Sequence, residues 1–178
     1  MIALPNPTKI LYTELSSDND MTTTFAEYVA SADAREQIAT NVEKWTKMLC
    51  EALEQDFVRD SIRRAEFFLS NDPKYQAKRL EAIKNGEDMY KFTIDTGRKY
   101  HKVMMTTDGN SRSVHCFVDK KTGEVYKAAS YKAPAKGVRF DLRLIEQREW
   151  LLENADWAGS YLYAVSYTHL RAHETSQH

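Results

Sequence analysis

The sequence predicts an α+β fold: a helical amino-terminal half packed on a four-stranded antiparallel β-meander, with one carboxyl-terminal helix. Three observations carry this. Apolar residues recur at helical spacing through Ile38, Val42, Trp45, Leu49 and Leu53. The period changes from 3.6 to 2 at Met89, where Tyr90, Phe92 and Ile94 alternate with Lys91, Thr93 and Asp95. Tight-turn signals then divide the chain into short strands. With 178 residues and 42% hydrophobic content, one packed domain is expected.

Residues 1–20 follow neither period, carry Pro5 and Pro7, and end in the polar run Ser16-Ser-Asp-Asn-Asp20. They are expected to be a disordered leader, or the product of a start placed upstream of a true one at Met21. Helix is expected from Met21, with Thr22 to Thr24 as hydroxyl caps and Ser31 or Asp33 capping the next stretch. The apolar stripe resumes at Val58, Ile62, Ala65 and Leu69, as one long helix or as two with a bend near Gln55 and Asp56. A further helix opens at Asn71 or Asp72 with Pro73 in its first turn, buries Leu80 and Ile83, and stops at Gly86. The helical region is therefore residues 21–87.

The sheet and last helix are expected within 88–164. Thr96-Gly97 turns the first strand into residues 99–106, and Asp108-Gly-Asn110 leads to 113–118 with Val114, Cys116 and Val118 on one face. Asp119-Lys-Lys-Thr-Gly123 then turns into 124–129. Strands adjacent in sequence pair, so the order follows the chain. Pro134 and Gly137 mark a loop, and Asp141 is expected to cap the last helix, whose apolar side is Leu142, Ile145, Leu151 and Leu152. Trp157-Ala-Gly-Ser160 ends it, and Tyr161 to Tyr163 return as an edge strand.

The formal net charge of −1 is unevenly spread: residues 90–143 hold twelve Lys and Arg against five Asp and Glu, between two acidic segments. Such a block fits an anionic partner, or a match between the halves of the chain or with a neighbouring protein. Cys50 and Cys116 lie far apart in sequence, so no disulfide framework or zinc knuckle is expected, and ordinary thiols suit a reducing cytoplasm. No signal peptide or membrane span is read, so no membrane partner is expected.

The basic sheet is the strongest functional signal. Arg98, Lys99, Tyr100 and Lys102 stand on one strand, and Tyr131, Lys132, Lys136 and Arg139 follow the last strand. Cations neutralise phosphates and exposed rings stack on bases, so these eight residues are the candidate nucleic-acid-binding set. Lysine-rich edges that block aggregation, and rings serving as core, are the competing explanation. Catalysis is not expected. His115 and Cys116 are neighbours on a strand and should point to opposite faces, while a pairing of His101 with Cys116, oriented by Asp95 or Asp119, depends on unreadable registers. Ala133-Pro-Ala-Lys-Gly137 lacks the spacing of a phosphate loop. No cofactor or metal site is expected.

The string Phe117-Val-Asp-Lys-Lys-Thr-Gly-Glu-Val-Tyr-Lys-Ala-Ala-Ser-Tyr-Lys-Ala-Pro-Ala-Lys-Gly-Val-Arg-Phe-Asp-Leu142, with Gly97-Arg-Lys-Tyr100, Ser113-Val-His115 and Asp156-Trp-Ala-Gly159, resembles small uncharacterised proteins of tailed bacteriophages over residues 90–164. That resemblance implies expression in the cytoplasm of a bacterial host and no established activity. Val165-Ser-Tyr-Thr-His-Leu-Arg-Ala-His-Glu-Thr175 resembles the conceptual translation of a transposase mosaic-end sequencing adapter, so residues 165–178 are expected to be an artefactual tail. His169 and His173, although spaced like helical metal ligands, fall within it. The expected function is single- or double-stranded nucleic-acid binding, with a protein–protein or virion-assembly module, facing a phage or host protein, as the alternative.

Overall fold

The computed structural model describes residues 25–107 and 110–163. The expectations for the leader, for the caps at Thr22 to Thr24 and for the tail lie outside these residues. The elements are α1 (Phe25–Phe68), α2 (Pro73–Lys84), β1 (Lys91–Thr96), β2 (Tyr100–Thr106), β3 (Arg112–Asp119), β4 (Glu124–Lys127), β5 (Phe140–Asp141), α3 (Ile145–Asn154) and a 3-10 turn, Ser160–Leu162. The chain divides into two units between Ala34 and Arg35. Of the first, residues 25–34 are described, as the opening of α1; all packing below belongs to the second.

α1 is a single helix of 44 residues, because no glycine or proline interrupts it. The helix runs unbroken through Gln55 and Asp56, and Ser31 and Asp33 lie inside it rather than capping it. Its buried line runs through Val42, Leu49 and Leu53, all fully buried, and passes to Phe57 rather than to Val58 and Ile62, which are only partly covered. Thr46 is also buried on this line; its hydroxyl donates to the Val42 carbonyl at 2.7 Å, so no donor is stranded. α2 begins as expected, with the Asp72 carboxylate accepting the Tyr75 N–H at 3.1 Å and Pro73 in the first turn. Gly86, at φ +74°, follows its end, and Ile83 is buried.

The sheet is antiparallel with strands in chain order, and it has five strands among the described residues, not four. The fifth is short: Glu124 pairs with Asp141 and Val125 with Phe140. Asp141 therefore does not cap the last helix. It accepts the Arg143 backbone N–H at 2.9 Å and holds the Arg143 guanidinium through both oxygens. α3 starts after Leu144 without a side-chain cap, Leu142 is buried ahead of the helix, and Ile145 is 60% exposed. Leu151 and a stacked Phe140–Trp150 pair carry its packing, and the Arg148 guanidinium lies 4.3 Å from the Trp45 ring of α1. Tyr161 and Leu162 are buried in the 3-10 turn, not in an edge strand.

A β-bulge controls the side-chain alternation. Val103 pairs with Cys116 but Met104 with Val114, so His115 is an extra residue on β3. Val114 is thereby moved off the face that carries Cys116 and Val118. The main core joins Val42, Leu49, Cys50 and Leu53 of α1 to Phe92, Val103, Cys116, Val118 and Val125 of the sheet, and to Leu151, Tyr161 and Leu162. Met104 and Phe117 are also fully buried but stand apart from that cluster, on the opposite face. The sheet is thus packed by helices on one face and by its own side chains on the other.

The segment after α3 is fixed to α1 by Trp157. Its backbone N–H donates to Asp56 at 3.0 Å, its indole N–H donates to Asp60 at 2.9 Å, and its ring meets Phe57 and Tyr90 edge-on. Arg63 and Arg64 pair with the same Asp60 carboxylate.

Two expectations follow for urea or thermal unfolding. Leu53→Ala should cost about 2–5 kcal/mol and Ile145→Ala less than about 0.5 kcal/mol. Equal losses would contradict the assignment of Ile145 to solvent. Trp157→Phe keeps most of the ring but removes the indole donor from a carboxylate, and should cost about 1–3 kcal/mol.

Candidate functional site

The candidate surface is the sheet face opposite α1. Register aligns Lys102 of β2, Phe117 of β3 and Tyr126 of β4 in one cross-strand row. Tyr100 meets both Phe117 and Tyr126 edge-on, with ring centroids 5.7 and 6.1 Å apart. The connection from β4 to β5 folds back as a hairpin: Ala128 bridges Pro134, the Ser130 hydroxyl accepts the Lys132 and Ala133 N–H groups, and the Ala135 N–H donates to Lys127. This returns Tyr131 over the face. The Lys102 ammonium lies 5.1 Å from the Tyr131 ring centroid and 5.9 Å from that of Phe117, and Tyr131 remains 52% exposed.

Tyr100, Lys102 and Tyr131 are therefore brought together around Phe117, with Lys132 exposed beside Tyr131. Arg98 and Lys99 lie at one end, in and beside the β1–β2 turn. There Lys120 of the β3–β4 turn donates through its ammonium to the Gly97 carbonyl and through its backbone N–H to Lys99. Lys99 also faces Asp119 at 3.7 Å. Lys136 is exposed and Arg139 partly buried on the segment leading into β5. No ion pair among the described residues involves Arg98, Lys102, Lys132, Lys136 or Arg139. Two other cations of the basic block are diverted: Lys127 lies 3.7 Å from the Tyr163 ring centroid and Arg143 is held by Asp141.

Asp95 of β1 lies exposed directly across from Lys102 in the same row, and two other acids of this region are engaged locally. Asp119 accepts the Lys121 and Thr122 N–H groups, and Glu124 accepts the Tyr126 hydroxyl at 2.6 Å, which together with burial pushes the Tyr126 pKa up. Phe117 and Tyr126 are members of the face that the sequence reading passed over. The signal was present, since both alternate with residues of the buried face, Cys116, Val118 and Val125.

The possible cysteine chemistry resolves differently. His101 sits opposite Val118 and pairs through Nδ1 with the Thr96 hydroxyl at 3.0 Å, not with Cys116. The expectation that His115 and Cys116 point to opposite faces is overturned by the bulge: His115 Nε2 lies 2.9 Å from the buried Tyr161 hydroxyl and its ring meets Phe92 edge-on, in the same core that holds Cys116. Burial pushes the Cys116 thiol well above its ordinary pKa and that of Cys50 up to about 12. Neither thiol is activated by its surroundings. The cluster is a satisfied polar inclusion in the core, against which Gly159, at φ +81°, closes: a Cβ there would lie 3.3 Å from the His115 ring.

Desolvation lowers the His115 pKa to about 4, and that of His101 in the same direction. At neutral pH the His115 ring is neutral in the folded chain, and both rings gain protons more readily when unfolded. Stability should therefore be unaffected above pH 6.5 and fall as pH drops from there toward 4, by about 1–2 kcal/mol for His115 at pH 5. His115→Gln, which can still bond the Tyr161 hydroxyl, should flatten the pH 7-to-5 slope of unfolding free energy. An unchanged slope would contradict this assignment.

No helix of the described residues is long and apolar enough to cross a membrane. No curated protein and no solved structure matches the chain. A family model does match, over residues 25–164, which takes in the long helix as well as the sheet. The chain belongs to DUF7717, a family of unknown function.

Proposed function

We propose that this protein is a non-enzymatic binding module that holds nucleic acid, single-stranded in preference, against the Phe117 face of its sheet. The observation that carries the reading is the Lys102 ammonium, positioned by the Tyr131 and Phe117 rings and in no ion pair among the described residues, with Asp95 as its cross-strand neighbour and a half-exposed tyrosine beside it. A cation held by rings stays available to a phosphate, and the exposed Tyr131 offers a stacking surface for a base of any identity. Arg98, Lys99, Lys132 and Lys136 supply further phosphate neutralisation along the face and its ends, with Tyr100 bordering the ring cluster. A surface rather than a deep cleft suits an extended strand. The resemblance of residues 90–164 to tailed-phage proteins agrees with an accessory role in an infected bacterial cell.

One observation favours a second reading, a protein-interaction module. At the end of α1, Phe67 and Phe68 form an edge-on pair and are 73% and 72% exposed, next to Tyr75 at 56%. Large rings in water at one corner are a feature of interaction surfaces.

Fluorescence anisotropy of labelled oligodeoxythymidylate and of a duplex, at low and high salt, separates the two. The strand should bind at low salt and weaken steeply with salt. Tyr131→Ala should lower affinity roughly tenfold, and Lys132→Ala should reduce the logarithmic salt slope by about 0.7. Absence of binding to either probe at low salt would remove the nucleic-acid reading and leave the Phe67–Phe68 corner as the surface to pursue.

A further inference from the structure

Arg139 is unlike the other cations of the face. Its Nε is buried without a hydrogen-bond partner, and no ion pair among the described residues includes its guanidinium. Exposed lysines such as Lys132 and Lys136 are satisfied by water, but the buried Nε–H of Arg139 has no partner to offset its desolvation. Arg143, four residues on, shows the alternative: both Asp141 oxygens take its donors, at 2.7 and 3.1 Å. The position of Arg139 is fixed by the backbone on either side. Its N–H donates to the Val125 carbonyl at 2.8 Å, and the next residue, Phe140, is buried in register with Val125. Gly137, at φ +92°, lies against the fork; a Cβ there would stand 3.4 Å from Nη1, so the glycine leaves that side of the guanidinium uncrowded.

We propose that Arg139, with Lys136 on the other side of Gly137, is a dedicated phosphate anchor, taking one phosphate group on the two terminal nitrogens of its guanidinium while the buried Nε holds that side chain in place. A guanidinium matches two phosphate oxygens at once, which an ammonium cannot do, so the anchor sets where a phosphate sits while the lysines contribute diffuse attraction. The assignment rests on the strand-binding reading for the carrier of that phosphate, a diester in a strand rather than a free ion. The fork itself would serve either.

The test follows the arginine Nε–H resonances of the full chain by NMR during titration with sodium pyrophosphate and, separately, with oligodeoxythymidylate. The Arg139 signal should move with both, and the Arg143 signal with neither. Arg139→Lys, which keeps the charge, should weaken strand binding roughly tenfold, against less than about twofold for Lys132→Arg. Its melting temperature should be unchanged or higher, because an unsatisfied donor is removed. Strand affinity undiminished in Arg139→Lys overturns the anchor and leaves the strand reading standing. An Arg139 signal that moves with pyrophosphate, in a chain that binds no oligonucleotide, upholds the anchor as a small-phosphate site and ends the strand reading. An Arg139 signal still under both titrations overturns the anchor.

Discussion

Burial of β3 on both faces is the constraint on which the rest of the molecule depends. Cys116 and Val118 face α1 within the main core, while Phe117, between them, is equally buried on the other side. Antiparallel sheets commonly leave one face wet. Here the outward face carries a ring cluster, and Lys102 is drawn into that cluster by Tyr131 and Phe117 while Lys99 faces Asp119. Packing and candidate function are therefore one arrangement seen from two sides: the residues that bury Phe117 are those that present charge and an aromatic ring to solvent.

The His115 bulge makes the two-sided burial compatible with a single strand. Without the extra residue, His115 would alternate onto the outward face and Val114 into the core. With it, the imidazole turns inward and is satisfied by the Tyr161 hydroxyl, and the segment after α3 gains an attachment to β3. Trp157 provides a second attachment through Asp56 and Asp60 of α1. The carboxyl-terminal segment thereby ties helix and sheet together by buried or half-buried hydrogen bonds, which are costly to break.

Much of this was legible in the sequence, and the failures are physically specific. The period change at Met89, the Asp72–Pro73 start and Gly86 stop of α2, and the turn closing at Gly123 are local signals, and each appears where its chemistry places it. The fifth strand was missed because two residues carry no period. The cap assigned to Asp141 failed because strand pairing and Arg143 claimed that residue first, and Ile145 was misassigned by the same shift of helix start. A one-residue error of phase put Val58 where Phe57 is buried. The bulge was invisible because His115 and Cys116 give no pattern that distinguishes alternation from insertion. In the site, Tyr100, Lys102 and Tyr131 could be suspected from alternation and charge, whereas the isolation of Arg139 could not. Whether a cation finds an acid depends on register: Asp141 reaches Arg143, and no acid among the described residues pairs with Arg139.

The central claim is that the Phe117 face, not the helical side, meets the ligand, and the most direct measurement is a residue-by-residue map of amide and side-chain NMR shifts on adding oligodeoxythymidylate. The account predicts perturbation of Lys102, Phe117, Tyr126 and Tyr131 with Leu53 and Val42 unmoved. Shifts confined to Phe67, Phe68 and Tyr75 would contradict it.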